Sequence, residues 1–124
     1  MAPDATAPTP IPISAADLAG RLSEAERDDH GIQLVDVRED EELAMARLPL
    51  PVLHLPLSRS SDWMEQIDTL LDPSRPVAVL CHAGVRSWHF GCWLIEQHDF
   101  PQVWNVQGGI DAWSAEVDGT VPRY

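Results

Sequence analysis

The sequence predicts an α/β fold with a central parallel sheet and helices on both faces, and three observations carry that prediction. Apolar runs of strand length alternate with helix-patterned segments along most of the chain. The run Val77-Ala78-Val79-Leu80 is apolar without interruption, as befits a strand covered on both sides. A length of 124 residues with 44% hydrophobic content is enough for one domain with a real core.

Met1 to Pro12 has proline at 3, 8, 10 and 12, which denies it helix and most sheet pairing. It reads as a flexible Pro-rich tail, with folding expected from about Ile13 to Tyr124. Ser14 and Asp17 resemble a capping box with Asp in place of Glu, and Leu18 and Leu22 continue a helical stripe to about Arg27. Asp28 to Gly31 would end that helix. Ile32 to Val37 is the first strand, closing in Asp36-Val37-Arg38, and the acids from Glu39 to Glu42 fit the first turn of a short helix, where its dipole favours them. A solvated helix start explains this cluster better than a direct catalytic role.

Pro49, Pro51 and Pro56 restrict the next stretch to a short edge strand around Val52 to Leu55. A helix is predicted from about Ser58, Ser60 or Ser61 to Leu71, with Trp63, Ile67, Leu70 and Leu71 facing inward, closed by Asp72-Pro73. After Val77 to Leu80 comes a helix from about Val85 to Gln97 with Trp88, Cys92, Trp93 and Ile95 among its apolar positions. Gln102 to Val106 is the last strand, Gly108-Gly109 breaks it, Ile110 to Trp113 forms a short helix, and Gly119 to Tyr124 is extended.

Chemistry gathers where the central strand ends. Cys81 follows Leu80 directly, and ligands bind at the carboxyl ends of strands in open α/β sheets because the next helix brings its amide N–H groups there. Gly84 lets the loop curl, Arg86 adds a fixed charge, and the helix starts at once. A thiol in such an anion cradle should ionise easily; comparable settings bring cysteine from ~8.5 to roughly 3.5–7.5. The plain alternative is an inert buried cysteine.

The formal net charge of −12, with no lysine, argues against nucleic acid and anionic membranes as partners. An anionic substrate would have to be held by local donors against the global field, with association that improves as salt is added. Two cysteines make no disulfide framework, and no signal peptide or long apolar segment is evident, so a reduced, cytoplasmic thiol is expected. Cys92 suits a small core filler better than a resolving thiol. His82 could tune substrate charge preference near neutral pH. Arg38, leaving a strand end amid carboxylates, is expected to form a structural ion pair.

Three motifs then converge: Leu34-Val35-Asp36-Val37-Arg38-Glu39, Cys81-His82-Ala83-Gly84-Val85-Arg86-Ser87, and Asn105-Val106-Gln107-Gly108-Gly109-Ile110-Asp111-Ala112-Trp113. In order and spacing the chain resembles the single-domain rhodanese-like family from about Ser14 to Tyr124. The resemblance implies a rhodanese-like fold and sulfur transfer without metal or cofactor. Cys81 would take a sulfane sulfur from a small anionic donor such as thiosulfate and pass it, as a persulfide, to cyanide, a thiol or a thiol protein. It also implies an amide cradle over His82, Ala83, Gly84, Val85 and Arg86, with Ser87 bonding into the loop and Asp36, Arg38 and Trp113 in support. One stretch departs from the family pattern. Ala46-Arg47-Leu48-Pro49-Leu50-Pro51 stands where Gly-His-Ile-Pro-Gly-Ala is common, so Arg47 replaces the usual His in a segment that is mainly structural.

Two other functions compete. A phosphatase or arsenate reductase of related loop type also uses a cysteine, amides and an arginine, but its loop has five residues between them and this one has four. The shorter ring suits a single sulfur rather than a tetrahedral phosphoryl group. A non-catalytic binding module is the second rival; such domains commonly lose the loop cysteine, which this chain keeps.

Overall fold

The strands pair as the apolar runs require. In the computed structural model, which describes residues 9–25 and 31–124, the sheet contains β1 (Ile11–Ile13), β2 (Gln33–Asp36), β3 (Leu53–His54), β4 (Val77–Leu80) and β5 (Val103–Val106). All pairings are parallel, in the order β1-β5-β4-β2-β3, which puts β4 in the middle. Asp36 pairs with Leu80, and the Val37 amide bonds the Leu80 carbonyl at 3.0 Å. Residues 37 and 81 therefore leave the sheet side by side at one edge.

Side chains alternate across a strand, so each strand feeds two cores. Leu34, Ala78 and Leu80 pack on one face with Leu18 of α1 (Ala15–Ala25) and Ile110 and Trp113 of α6 (Gly109–Glu116). Val35, Val77 and Val79 pack on the other with Phe90 and Leu94 of α5 (Val85–His98) and with Trp63 and Ile67. Each buried Val, Leu, Ile or Phe among these contributes about 1.5–3 kcal/mol before chain entropy is subtracted. The fold class is as predicted, with helices on both faces.

The start of α1 also follows the sequence, since Ser14 Oγ accepts the Asp17 amide at 3.0 Å. The predicted first eight residues of the tail, the α1 extension to Arg27 and most of its terminator lie outside the described residues. Sheet pairing starts earlier than expected, at Ile11, with Pro12 opposite Asn105. Proline is tolerated there because an edge strand bonds on one side only.

Two helices differ in detail. The predicted helix to Leu71 is broken into 3-10 turns, Leu57–Arg59 and Met64–Gln66, around α3 (Ser60–Trp63) and α4 (Ile67–Leu70). Trp63, Ile67 and Leu71 are buried at a spacing of four, which rotates Leu70 outward into solvent. In α5 the buried positions are Ser87, Phe90, Gly91 and Leu94, and Trp88 is exposed. The i, i+3, i+4, i+7 register selects that face over the bulkier residues between them. Gly91 serves it by small size, because a Cβ there would run into Pro10 and Val103.

Candidate active site

Cys81 sits directly beyond β4 and is 1% exposed. Gly84, at φ 105°, forms the N-cap of α5 and turns its amide back on the sulfur at 3.0 Å. Ser87, one turn into the helix and buried, lies 3.2 Å from the sulfur through Oγ. Ser87 Oγ in turn donates to Asn105 Oδ1, and Asn105 Nδ2 donates to the Gly84 carbonyl at 2.9 Å. A side chain of β5 thus closes the loop that β4 opens. Among the described residues the Gly84 amide is the loop N–H that bonds the sulfur of the resting thiol.

The loop rests on the N-terminus of α6. The Ile110 amide donates to the Cys81 carbonyl at 2.9 Å and the Asp111 amide to the His82 carbonyl at 3.2 Å. This stacking requires Gly109, at φ 60°, because a Cβ there would meet both carbonyl oxygens head-on. The predicted break at Gly108-Gly109 is therefore the support for the cysteine loop. Trp113, also on α6, is buried in the core with its indole N–H unpartnered among the described residues.

Arg86 does not present a free charge. Its Nη1 and Nη2 donate to the two oxygens of Glu42 at 2.6 and 2.8 Å. The guanidinium holds the Glu42 carboxyl far below the usual glutamate range, at about 2, with burial opposing and the Glu39 amide and Tyr124 hydroxyl assisting. Two of five N–H donors are taken this way. Glu42 belongs to α2 (Asp40–Met45), whose first turn carries the expected acids and whose capping box pairs Glu39 with Glu42. The plain reading of that acidic cluster thus describes the helix start but omits what Glu42 does at the loop.

Tyr124 ties these parts together. Its hydroxyl donates to Glu42 at 2.8 Å and accepts from Arg38 Nη1 at 3.0 Å, while its ring stacks on His82 with centroids 4.1 Å apart. Burial pushes its phenol above the ordinary value. Arg38 is 0% exposed and bonds both oxygens of Asp36, as the ion-pair expectation required. Burial disfavours its charge, and the bonds from Asp36 and Tyr124 outweigh that.

The remaining predicted residues fall around the rim. Ala83 is exposed, Val85 is 66% exposed and Trp88 is 39% exposed, leaving an apolar border at the first turn of α5. Cys92 is half-buried and burial, then Glu96, raises its thiol, which suits a filler. Sequence reasoning missed Asn105 and Tyr124 as site residues. A polar residue inside an otherwise apolar strand was a signal for Asn105, whereas Tyr124 reaches Glu42 across 82 positions of chain with nothing local to announce it.

A family model described as Rhodanese-like domain matches residues 15–116. A sulfurtransferase of Allochromatium vinosum is 32% identical over 82% of this chain and 86% of its own. The thiosulfate sulfurtransferase GlpE of Actinobacillus pleuropneumoniae is 30% identical over 69% of this chain and 74% of its own. Against the rhodanese-like/PpiC domain-containing protein 12 of Arabidopsis thaliana identity is 40%, and the chain spans 30% of that relative's length. A rhodanese-like domain protein from Staphylococcus aureus superposes with a TM-score of 0.62 at 24% identity, covering 92% of this chain and 98% of its own.

Proposed function

We infer, because this chain belongs to the rhodanese-like domain family, that it is a sulfurtransferase working through a persulfide on Cys81. The Cys81 thiolate attacks the outer sulfur of a donor such as thiosulfate, the S–S bond of the donor breaks, and sulfite leaves with the electron pair. A thiophilic acceptor, cyanide or a thiolate, then attacks the outer sulfur of the persulfide and the bonding pair returns to Cys81. This is covalent catalysis in two half-reactions. A free thiol in this role suits a reducing, cytoplasmic setting.

The observation that carries the reading is the Gly84 amide 3.0 Å from the sulfur at the start of a 14-residue helix, with Ser87 beside it. The Gly84 amide stabilises negative charge on sulfur as it develops and returns, while Ser87 Oγ, whose proton goes to Asn105, holds the thiol before it ionises. The four-residue interval to Arg86 favours this over phosphoryl transfer. Incubation with thiosulfate should add the mass of one sulfur to the protein, cyanide should remove it, and Cys81→Ser should never acquire it. Addition of that sulfur to the Cys81→Ser variant would end the assignment.

A further inference from the structure

The oxygens that occupy Arg86 come from the protein itself. Glu42 meets the guanidinium bidentately from α2, is fastened from behind by the Tyr124 hydroxyl, and has a side chain only 16% exposed. An arginine so engaged offers an incoming anion little net charge, and a dianion must displace or approach a fixed carboxylate inside a chain of net charge −12. Beside it the first turn of α5 exposes Val85 and Trp88, apolar surface adjoining the reactive loop.

On the sulfurtransferase reading above, we propose that Glu42 is a positioning residue that sets donor specificity: it neutralises Arg86 and turns the site from inorganic dianions toward sulfane-sulfur donors of lower charge with an apolar flank. Glu42 touches no substrate. It acts through Arg86, and Tyr124 keeps it there. Thiosulfate remains a donor, but a handicapped one.

Two donors that deliver the same atom separate charge from chemistry. Thiosulfate is a dianion and releases sulfite; benzenethiosulfonate is a monoanion with an apolar ring and releases benzenesulfinate. In each, the Cys81 thiolate forms the new S–S bond as the donor S–S bond breaks toward the leaving sulfur. Steady-state kcat/KM for each donor, at saturating cyanide, is compared between wild type and Glu42→Gln. Each variant is referred to wild type on the same donor, so intrinsic donor reactivity cancels.

Glu42→Gln should raise kcat/KM for thiosulfate about tenfold and for benzenethiosulfonate about threefold or less, because removing a nearby negative charge helps a dianion more than a monoanion. Tyr124→Phe, which keeps the ring on His82 and removes the hydroxyl from Glu42, should move the ratio in the same direction by a smaller factor, and it decides the matter if Glu42→Gln does not fold. Equal losses on both donors, or an unchanged ratio, would overturn the inference and leave sulfur transfer standing. Failure of both donors to place sulfur on wild-type Cys81 would overturn the sulfurtransferase reading and this inference with it.

Discussion

Arg38 and Arg86 follow neighbouring strands at the same edge of the sheet, each a few residues past its strand end, yet their surroundings differ throughout. Arg38 is fully buried, with Nε and Nη2 on Asp36 and Nη1 on both the Glu42 carbonyl and Tyr124. The Arg86 side chain is 36% exposed, and among the described residues its one partner is the Glu42 carboxylate. A buried charge whose three nitrogens are all engaged is framework, because moving it would strand another charge in the core. A half-exposed charge with a single carboxylate partner lies outside the core, so altering that partner changes the charge at the rim without unsettling the interior. The two arginines show how one edge of a sheet can be rigid at β2 and adjustable at β4.

The sharpest way to break this comparison is to remove each arginine in turn. Arg38→Met should destabilise the fold by about 3–5 kcal/mol, since Asp36 stays buried without its counter-ion, whereas Arg86→Ala should cost clearly less, because its guanidinium lies at a partly exposed rim. Urea unfolding of both variants measures this; comparable losses would mean that Arg86 is framework too.

A smaller effect should come from the support beneath the loop. Gly109→Ala places a side chain against the carbonyls of Cys81 and His82 at a positive φ. Strain of that kind costs about 1–3 kcal/mol, and because the loop must shift to relieve it, persulfide formation should slow more than stability falls. A variant that keeps full sulfur loading would show that the loop does not depend on the start of α6.

The smallest effect is a pH dependence. Glu42 is held at about 2 in the folded chain against an ordinary value of 4.5. A carboxyl with a lowered folded value contributes stability that is present above 4.5 and lost as pH falls toward 2. Wild type should therefore melt higher than Glu42→Gln at pH 6, and the gap should close between pH 4.5 and 2. A gap that persists at pH 2 would show that the pair is not what stabilises this contact.

The fold and the cysteine loop were legible because both rest on local pattern. Val77 to Leu80 reads as a doubly covered strand without any partner being known, and Gly84 and Arg86 announce a tight loop by residue type alone. What could not be read was the set of contacts that decides how the loop is used. Glu42 has the pattern of a helix-start acid, and the fact that it also clasps Arg86 depends on α2 and α5 meeting in space 44 positions apart. Helix faces were misjudged for a related reason: Trp88 and Leu70 are apolar, but Phe90 and Ile67 hold the register that faces the sheet.

The prolines at the margins of the sheet have a consequence for the protein in concentrated solution. Among the described residues β1 and β3 are the two edges of the sheet, and an edge invites a strand from another molecule to add itself. β1 is three residues long with Pro12 at its centre and Pro10 just before it, so it has no central N–H with which to receive a newcomer. β3 is two residues long, with Pro51 before it and Pro56 after. Such brevity and missing donors guard against edge-to-edge aggregation, and they do so independently of the strong negative charge, so the guard should still operate when salt has screened that charge away.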